Sequence, residues 1–286
     1  MIPETFEYYK PSTLDEAIKL LQEYGFDAKL LAGGHSLIPS MKLRLSSPEK
    51  IIDISKISDL NFIRAEGNSL VIGACTTHHQ IASSQLVQQK VPVLAQTAAL
   101  IGDLQVRNKG TIGGSLAHAD PAADYPATIL ISEAEIVVQG PSGTRSIPAT
   151  NFFTGIFMTD IQDDEILREI RIPFQAPHSH ATYLKFAQPA SRYAIVGCAV
   201  MITKPNDNCD DVRVAFTSVA DYAFRDSQVE NMLKGKKPTE DAVSQAAEKA
   251  AEGQDILEDH FAKAPYRKHL ARLFAKRAIN DVLTKF

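Results

Sequence analysis

The chain has 286 residues, too many for one small core and enough for two or three packed subdomains. Apolar residues make up 44% and charged residues 22%, an ordinary globular composition. The formal net charge of -4 gives no basic face, which argues against nucleic acid as a partner.

Residues 12–25 carry a helical pattern. Thr13 and Glu16 have capping-box spacing, and Leu14, Ala17, Ile18 and Leu21 fall on one face. Gly25 is placed to end the helix. The apolar run AKLLA, 28–32, predicts a short buried strand from which Gly33-Gly34 turns away, and KIIDIS, 50–55, predicts the next strand. Residues 1–55 thus form a β-α-β-like unit.

Residues 60–74 alternate around Glu66-Gly67-Asn68 and predict a hairpin. Helices are expected over 77–88 and, opened by Pro92, over 92–103. A glycine-rich stretch follows at 108–118. A second hairpin spans 134–149 with Pro-Ser-Gly at its tip, and a strand over 165–174 is closed by Pro173. The polar, proline-bearing stretch 174–181 is the best domain boundary. Beyond it, 193–202 and 212–219 read as strands, and 226–286 as Ala-, Lys- and Glu-rich helix. Strands followed by terminal helices suggest a separate α+β domain. The expected division is 1–177, with subdomains 1–55 and 56–177, followed by 178–286.

Three cysteines, Cys75, Cys198 and Cys209, include no C-x-x-C pair. This usage fits a reducing compartment without a disulfide framework. It falls short of the roughly four thiolates of a cysteine-ligated iron–sulfur cluster. No apolar run approaches the roughly 20 residues of a transmembrane helix. The opening MIPETFEYYKPST lacks the pattern of a signal peptide, so a cytoplasmic location is expected.

Two glycine pairs stand out, in LLAGGHS (30–36) and in NKGTIGGSLAH (108–118). A pair after a strand permits positive φ and close ligand approach. Its successive amides form an anion-binding concavity. Ser36, Thr111 and Ser115 add hydroxyls, and two such turns suit the two phosphates of a dinucleotide. Ordinary tight turns explain the same residues. Neither stretch is G-x-G-x-x-G and there is no Walker motif, so the residues alone leave both readings open. His78-His79 and His178-x-His180 read as solvated loops without carboxylate or cysteine at ligand spacing, so no metal site is expected. Arg107 and Lys109 either neutralise phosphate or are solvated. Asp163-Asp164-Glu165 reads as an acidic turn before a strand.

The wording is more specific than the pattern. AGGHSLIPSMKLRL followed by TIGGSLAHADPAADYPA resembles the FAD-binding medium subunits of the molybdenum hydroxylases, the xanthine oxidase family that includes aerobic carbon monoxide dehydrogenase. The resemblance extends through FEYYKPSTLDEAIKLL, KIIDIS, QVRNKG, DDEILREIRIP and ASRYAIVGCAV. It implies an α+β protein: an FAD-binding PCMH-type fold of two α/β subdomains, then a C-terminal α+β domain with a small antiparallel sheet and helices. It implies that Leu31, Ala32, Gly33, Gly34, His35 and Ser36, with Thr111, Ile112, Gly113, Gly114 and Ser115, hold the FAD pyrophosphate through amides and hydroxyls. Asp124 would place a carboxylate on FAD, Leu167 and Lys185 match flavin-contacting positions, and Ile101 would pack on the cofactor. Tyr193 would set an aromatic ring near the isoalloxazine. His35 and His118 would stabilise turns or edge the FAD rather than act as general bases.

The implied role is electron transfer by the flavoprotein subunit of a molybdopterin-dependent oxidoreductase, with no catalytic side chain and no metal in this chain. A small subunit would carry two [2Fe–2S] clusters and a large subunit the molybdopterin cofactor, in a dimer of heterotrimers (a heterohexamer) that passes electrons to an external acceptor. Two other readings stand beside it: a stand-alone FAD-dependent oxidase or dehydrogenase, and a non-catalytic assembly subunit.

Overall fold

The computed structural model describes residues 2–286. Its first unit contains β1 (Glu7–Tyr9), α1 (Leu14–Tyr24), β2 (Ala28–Leu31), α2 (Leu37–Lys42) and β3 (Lys50–Asp53). The strands form a parallel sheet in the order β1-β3-β2. The Thr13 side chain accepts from the Glu16 amide and starts α1. The Glu16 carboxylate closes the cap one residue earlier than the spacing predicts, accepting from the Ser12 amide at 2.7 Å. Gly25, at φ +52°, ends the helix where a side chain would be strained. The face of Leu14, Ala17, Ile18 and Leu21 packs with Ile52 and Ile54, so the amphipathic pattern is what joins helix to sheet.

The second unit holds β4 (Ile63–Glu66), β5 (Ser69–Gly73), α3 (His78–Ser83), α4 (Gln85–Lys90), α5 (Pro92–Leu100), α6 (Leu104–Arg107), α7 (Ile112–His118), α8 (Tyr125–Ile131), β6 (Glu135–Gly140), β7 (Gly143–Pro148), α9 (Ala149–Phe152), β8 (Phe153–Gly155), β9 (Met158–Thr159) and β10 (Ile166–Pro173). Its five-stranded sheet runs β4-β5-β10-β6-β7, antiparallel at every pairing. The predicted helix over 77–88 is two helices, because Ser84 adopts extended geometry and its hydroxyl caps α4. The predicted helix over 92–103 ends at Leu100.

The third unit is the antiparallel sheet β11 (Ser179–Ala187), β12 (Ala194–Thr203), β13 (Asp211–Thr217) and β14 (Phe224–Arg225), with α10 (Ser227–Leu233), α11 (Glu240–Glu248) and α12 (Ala264–Leu283). The helices cover one face, where Val196, Cys198 and Val200 meet Ala271, Ala275 and Ile279. The other face carries Tyr183, Ala199, Met201 and Ala215 into the core of the second unit, against α5 and α8. Burial on both faces explains why β12 reads as a continuous apolar run. The predicted boundary 174–181 is shorter than expected, since β11 begins at Ser179 and places His180 in a strand, edge-on to Phe286. Residues 249–263 are turns and irregular chain, so the C-terminal stretch is not helical throughout.

Gly197 lies where β11, β12 and β13 are most crowded. A Cβ there would fall 2.4 Å from the Tyr183 hydroxyl and 2.6 Å from Thr217 Cγ2. Both neighbours are fixed, Tyr183 by Asp124 and Thr217 by the carbonyls of Pro121 and Ala123. Gly197→Ala should therefore destabilise the chain by about 1–3 kcal/mol, read as a lower urea midpoint at unchanged slope.

Candidate functional site

A cleft of about 630 Å³ opens where the three units meet. Its first wall is the exit of β2. The Leu31 carbonyl still belongs to the sheet, accepting from the Ile54 amide at 2.9 Å. The chain then leaves the sheet through Ala32, Gly33, Gly34, His35 and Ser36, all lining the cleft. Gly34 has φ +72°, the left-handed conformation glycine tolerates. Gly33 serves a different purpose: a Cβ on it would lie 2.2 Å from the Lys109 carbonyl oxygen, so only glycine lets this turn rest on the second glycine-rich stretch. The amides of Gly33, Gly34, His35 and Ser36 donate to no acceptor among the described residues. The His35 ring bonds back to the Gly33 carbonyl at 2.9 Å, bracing the turn.

The second stretch is not the turn the sequence predicts. Thr77 and Thr111 form an antiparallel bridge, after which Thr111 caps α7, so Gly113 and Gly114 lie in a helical first turn without positive φ. Their amides are already engaged: Gly113 donates to the Ala74 carbonyl at 2.9 Å, Gly114 to Thr111 Oγ1 at 3.1 Å, and Ser115 to the Thr111 carbonyl at 3.0 Å. This stretch therefore presents hydroxyls, from Thr111 and Ser115, rather than free amides. Glycine is required at 113 by packing, since a Cβ would meet Ala74 Cβ at 2.5 Å. Ile112 points away from the cleft into the core, fully buried.

A buried carboxylate closes the far side. Asp124 Oδ1 accepts from the Tyr183 hydroxyl at 2.5 Å and Oδ2 from Lys185 Nζ at 2.9 Å. Lys185 also donates to the Arg192 carbonyl at 2.7 Å and does not itself line the cleft. Burial pushes the Asp124 carboxyl up, while Lys185 and Tyr183 pull it down. Tyr193 reaches in from the third unit, its hydroxyl facing Ser36, and burial and the nearby Asp120 carboxylate push its phenol above the ordinary range. Ile101 and Leu167 supply apolar wall, Leu167 beside a bulge between β10 and β6.

Some lining residues were not foreseen. His78 is not in a solvated loop: it begins α3 and is 4% exposed. Its ring lies edge-on to Tyr125, and Nδ1 has no hydrogen-bond partner among the described residues. Burial, with His35 and Arg107 nearby, pushes His78 down to about 3. His118 lies against Phe157 with ring centroids 5.0 Å apart and the rings tilted by 44°. Phe157 holds φ +55° at the tip of the β8–β9 hairpin, an uncommon conformation for a bulky residue, and no periodicity announces it. Arg107 is occupied by the carbonyls of Ile101 and Gly102, both at 3.0 Å. Glu165 of the acidic turn is paired with Arg145 at 2.7 Å. Among the described residues, no group of three or more His, Cys, Asp or Glu side chains is arranged to hold a metal ion.

Free amides and hydroxyls in a cleft that also has apolar walls suit a ligand that combines anionic and apolar parts. Comparison with known proteins agrees. Residues 4–175 match the FAD binding domain in molybdopterin dehydrogenase, and residues 181–282 match the CO dehydrogenase flavoprotein C-terminal domain. The chain belongs to this family of flavin-binding medium chains of molybdenum-containing dehydrogenases. It is 44% identical to the carbon monoxide dehydrogenase medium chain of Hydrogenophaga pseudoflava, over 98% of each chain. It is 36% identical to the glyceraldehyde dehydrogenase medium chain of Sulfolobus acidocaldarius, over 99% of this chain and 100% of that one. A solved structure of the Hydrogenophaga pseudoflava carbon monoxide dehydrogenase superposes with a TM-score of 0.97 at 44% identity, covering 99% of both chains.

Two outcomes test this geometry. Gly33→Ala places a methyl group against the Lys109 carbonyl and parts the two stretches. Flavin per chain should fall to a small fraction of the parent value while the far-ultraviolet circular dichroism is kept. The second concerns acid. Buried His78 stays neutral in the folded chain until about pH 3, whereas the unfolded chain takes up the proton below an ordinary value of about 6.5. Stability is therefore lost as pH falls below about 6.5, by about 1.4 kcal/mol per pH unit from this group. His78→Phe should flatten that loss when urea midpoints are compared at pH 7 and pH 5.

Proposed function

We propose that this chain is the electron-transfer subunit of a molybdenum hydroxylase assembly, holding FAD in the cleft between its three units. The observation that carries the reading is the run of four unpartnered amides, 33–36, set against the hydroxyls of Thr111 and Ser115. Those amides donate to the pyrophosphate, and the two hydroxyls add further donors. Leu31 and Ala32 lead the chain into the turn, while Ile112, Gly113 and Gly114 act by packing rather than by donating. Ile101 and Leu167 pack on the rings and exclude water, and Tyr193 sets its ring at the mouth. Asp124 holds a polar wall in place, and Lys185 acts through it. Bound FAD supplies redox chemistry that exchanges electrons singly or in pairs, so the protein needs to place and tune it rather than to provide a nucleophile.

Residues 1–177 are read as the FAD-binding unit and 178–286 as the C-terminal unit. Electrons arrive from [2Fe–2S] clusters of a small partner chain and originate at a molybdopterin cofactor in a large one. They leave to an external acceptor. The assembly is a dimer of heterotrimers in the cytoplasm. Full-length similarity to proteins named medium chains supports this, as do three cysteines, fewer than the roughly four thiolates of one cluster. Among the described residues, no helix is long and apolar enough to cross a membrane. Medium chains of enzymes named for carbon monoxide and for glyceraldehyde share this architecture's sequence, which supports placing substrate choice on another chain.

The test is purification from the source cells followed by acid precipitation. The supernatant should contain FAD, not FMN, at one per chain, and the chain should co-purify with an iron–sulfur chain and a molybdopterin chain. The chain expressed by itself should show no substrate-specific turnover. Robust turnover by the isolated chain would overturn the subunit reading in favour of a stand-alone flavoenzyme.

A further inference from the structure

Arg267, in the first turn of α12, is the largest fully buried side chain of the described residues. A buried guanidinium is costly unless its donors are engaged. Its Nη1 donates to the carbonyls of Ile195 and Ser218, each at 2.6 Å, and lies 3.0 Å from Ser218 Oγ. Its Nη2 lies 2.6 Å from Asp259 as an ion pair without hydrogen-bond geometry, and Nε has no hydrogen-bond partner among the described residues, so Nη1 carries the hydrogen bonding. The β12–β13 ladder stops at the pair Gly197 and Thr217, so the carbonyls of Ile195 and Ser218 lie just beyond the last rung. The guanidinium bridges the two strand ends where backbone pairing has run out.

What those ends hold is the wall of the cleft. The Ser218 amide, in a left-handed residue at φ +63°, donates to the Pro121 carbonyl at 2.7 Å. Thr217 Oγ1 lies 2.7 Å from the Pro121 carbonyl and 2.6 Å from that of Ala123. The Ala194 amide donates to the Ala122 carbonyl at 3.3 Å. The loop between Asp120 and Asp124, both of which line the cleft, is thus held at three consecutive carbonyls by donors from the strand ends that Arg267 fastens. Tyr193 immediately precedes Ala194 on the same strand end.

We propose that Arg267 is a positioning residue for the flavin: through Ile195 and Ser218 it sets the 120–124 loop and Tyr193 against the bound cofactor. The proposal rests on the cleft being the flavin site. It assigns a role in cofactor binding to a helix that does not reach the cleft. Side-chain length and fork geometry both matter, because one group must span two carbonyls and a carboxylate.

The experiment compares Arg267→Met, Arg267→Lys and Asp259→Asn with Ile279→Ala, a buried change about three turns along the same helix. All are made in the full chain, isolated with the chains that accompany it in its host. FAD dissociation constant, the visible spectrum of the bound flavin and thermal midpoint are read for each. Arg267→Met should weaken FAD by about tenfold and shift the flavin band, with Arg267→Lys intermediate. Ile279→Ala should lower the thermal midpoint without either effect. If Arg267→Met does not fold, Asp259→Asn, which frees one arm of the guanidinium from a half-exposed partner, carries the comparison and should show the same effects in smaller degree. An unshifted spectrum and affinity at a matched loss of thermal midpoint would overturn the proposal. Gly33→Ala in the same assay separates the premises: if it keeps full FAD, the site assignment fails, whereas loss of FAD there with no response at Arg267 defeats only the positioning role.

Discussion

The structure turns on a contact that no side chain makes. Gly33 rests on the Lys109 carbonyl, Gly110 lies against the His78 ring, and Gly113 lies against Ala74. At Gly33 the absent Cβ lets one backbone rest on another, at Gly110 it makes room for the imidazole ring, and at Gly113 it makes room for both the methyl group and the backbone of Ala74. Together they join the exit of β2, the start of α3 and the start of α7 into the floor of the cleft. The first unit and the second are separate sheets, one parallel and one antiparallel, and these contacts help bring the free amides of one opposite the hydroxyls of the other.

The third unit is tied in by charge as well as by apolar packing. Asp124, Tyr183 and Lys185 form a buried cluster in which the carboxylate is on the second unit and both donors are on β11. Such a pair is not a large net source of stability, because both charges have left water. Removing either partner leaves the other buried and unpaired, which costs about 3–5 kcal/mol. In this arrangement Tyr193 faces Ser36 across the cleft.

Legibility of the site differed from residue to residue. The first glycine turn reads equally as an ordinary tight turn or as an anion-binding one, and only the tertiary structure shows that its amides have no acceptor among the described residues. The second was readable as wording but not as geometry. Thr111 followed by Gly-Gly matches a turn and a helix cap equally well, and only the pairing with residues 76–78 decided for the cap. Adjacent histidines read as a solvated loop, yet His78 is buried at the start of α3. Its burial arises from Tyr125 and Gly110, 32 or more residues away, and local sequence carries no trace of that. Lys185 was placed by resemblance on the cofactor, yet its ammonium is engaged by Asp124 and the Arg192 carbonyl.

The sequence by itself determined the local elements and the kind of chemistry. Capping residues, apolar periodicity and glycine placement act over a few residues, so α1, β2 and the two hairpins follow from them directly. The order of characteristic segments carries the family resemblance, independently of the fold. Only the tertiary structure decided which polar groups remain free. Whether an amide is available depends on what lies opposite it, and the partners here, Ala74 for Gly113 and Pro121 for Ser218, are distant in the chain or belong to another unit. The same holds for Arg267, an unremarkable arginine in a basic helix whose role arises from two strand ends 49 and 72 residues away.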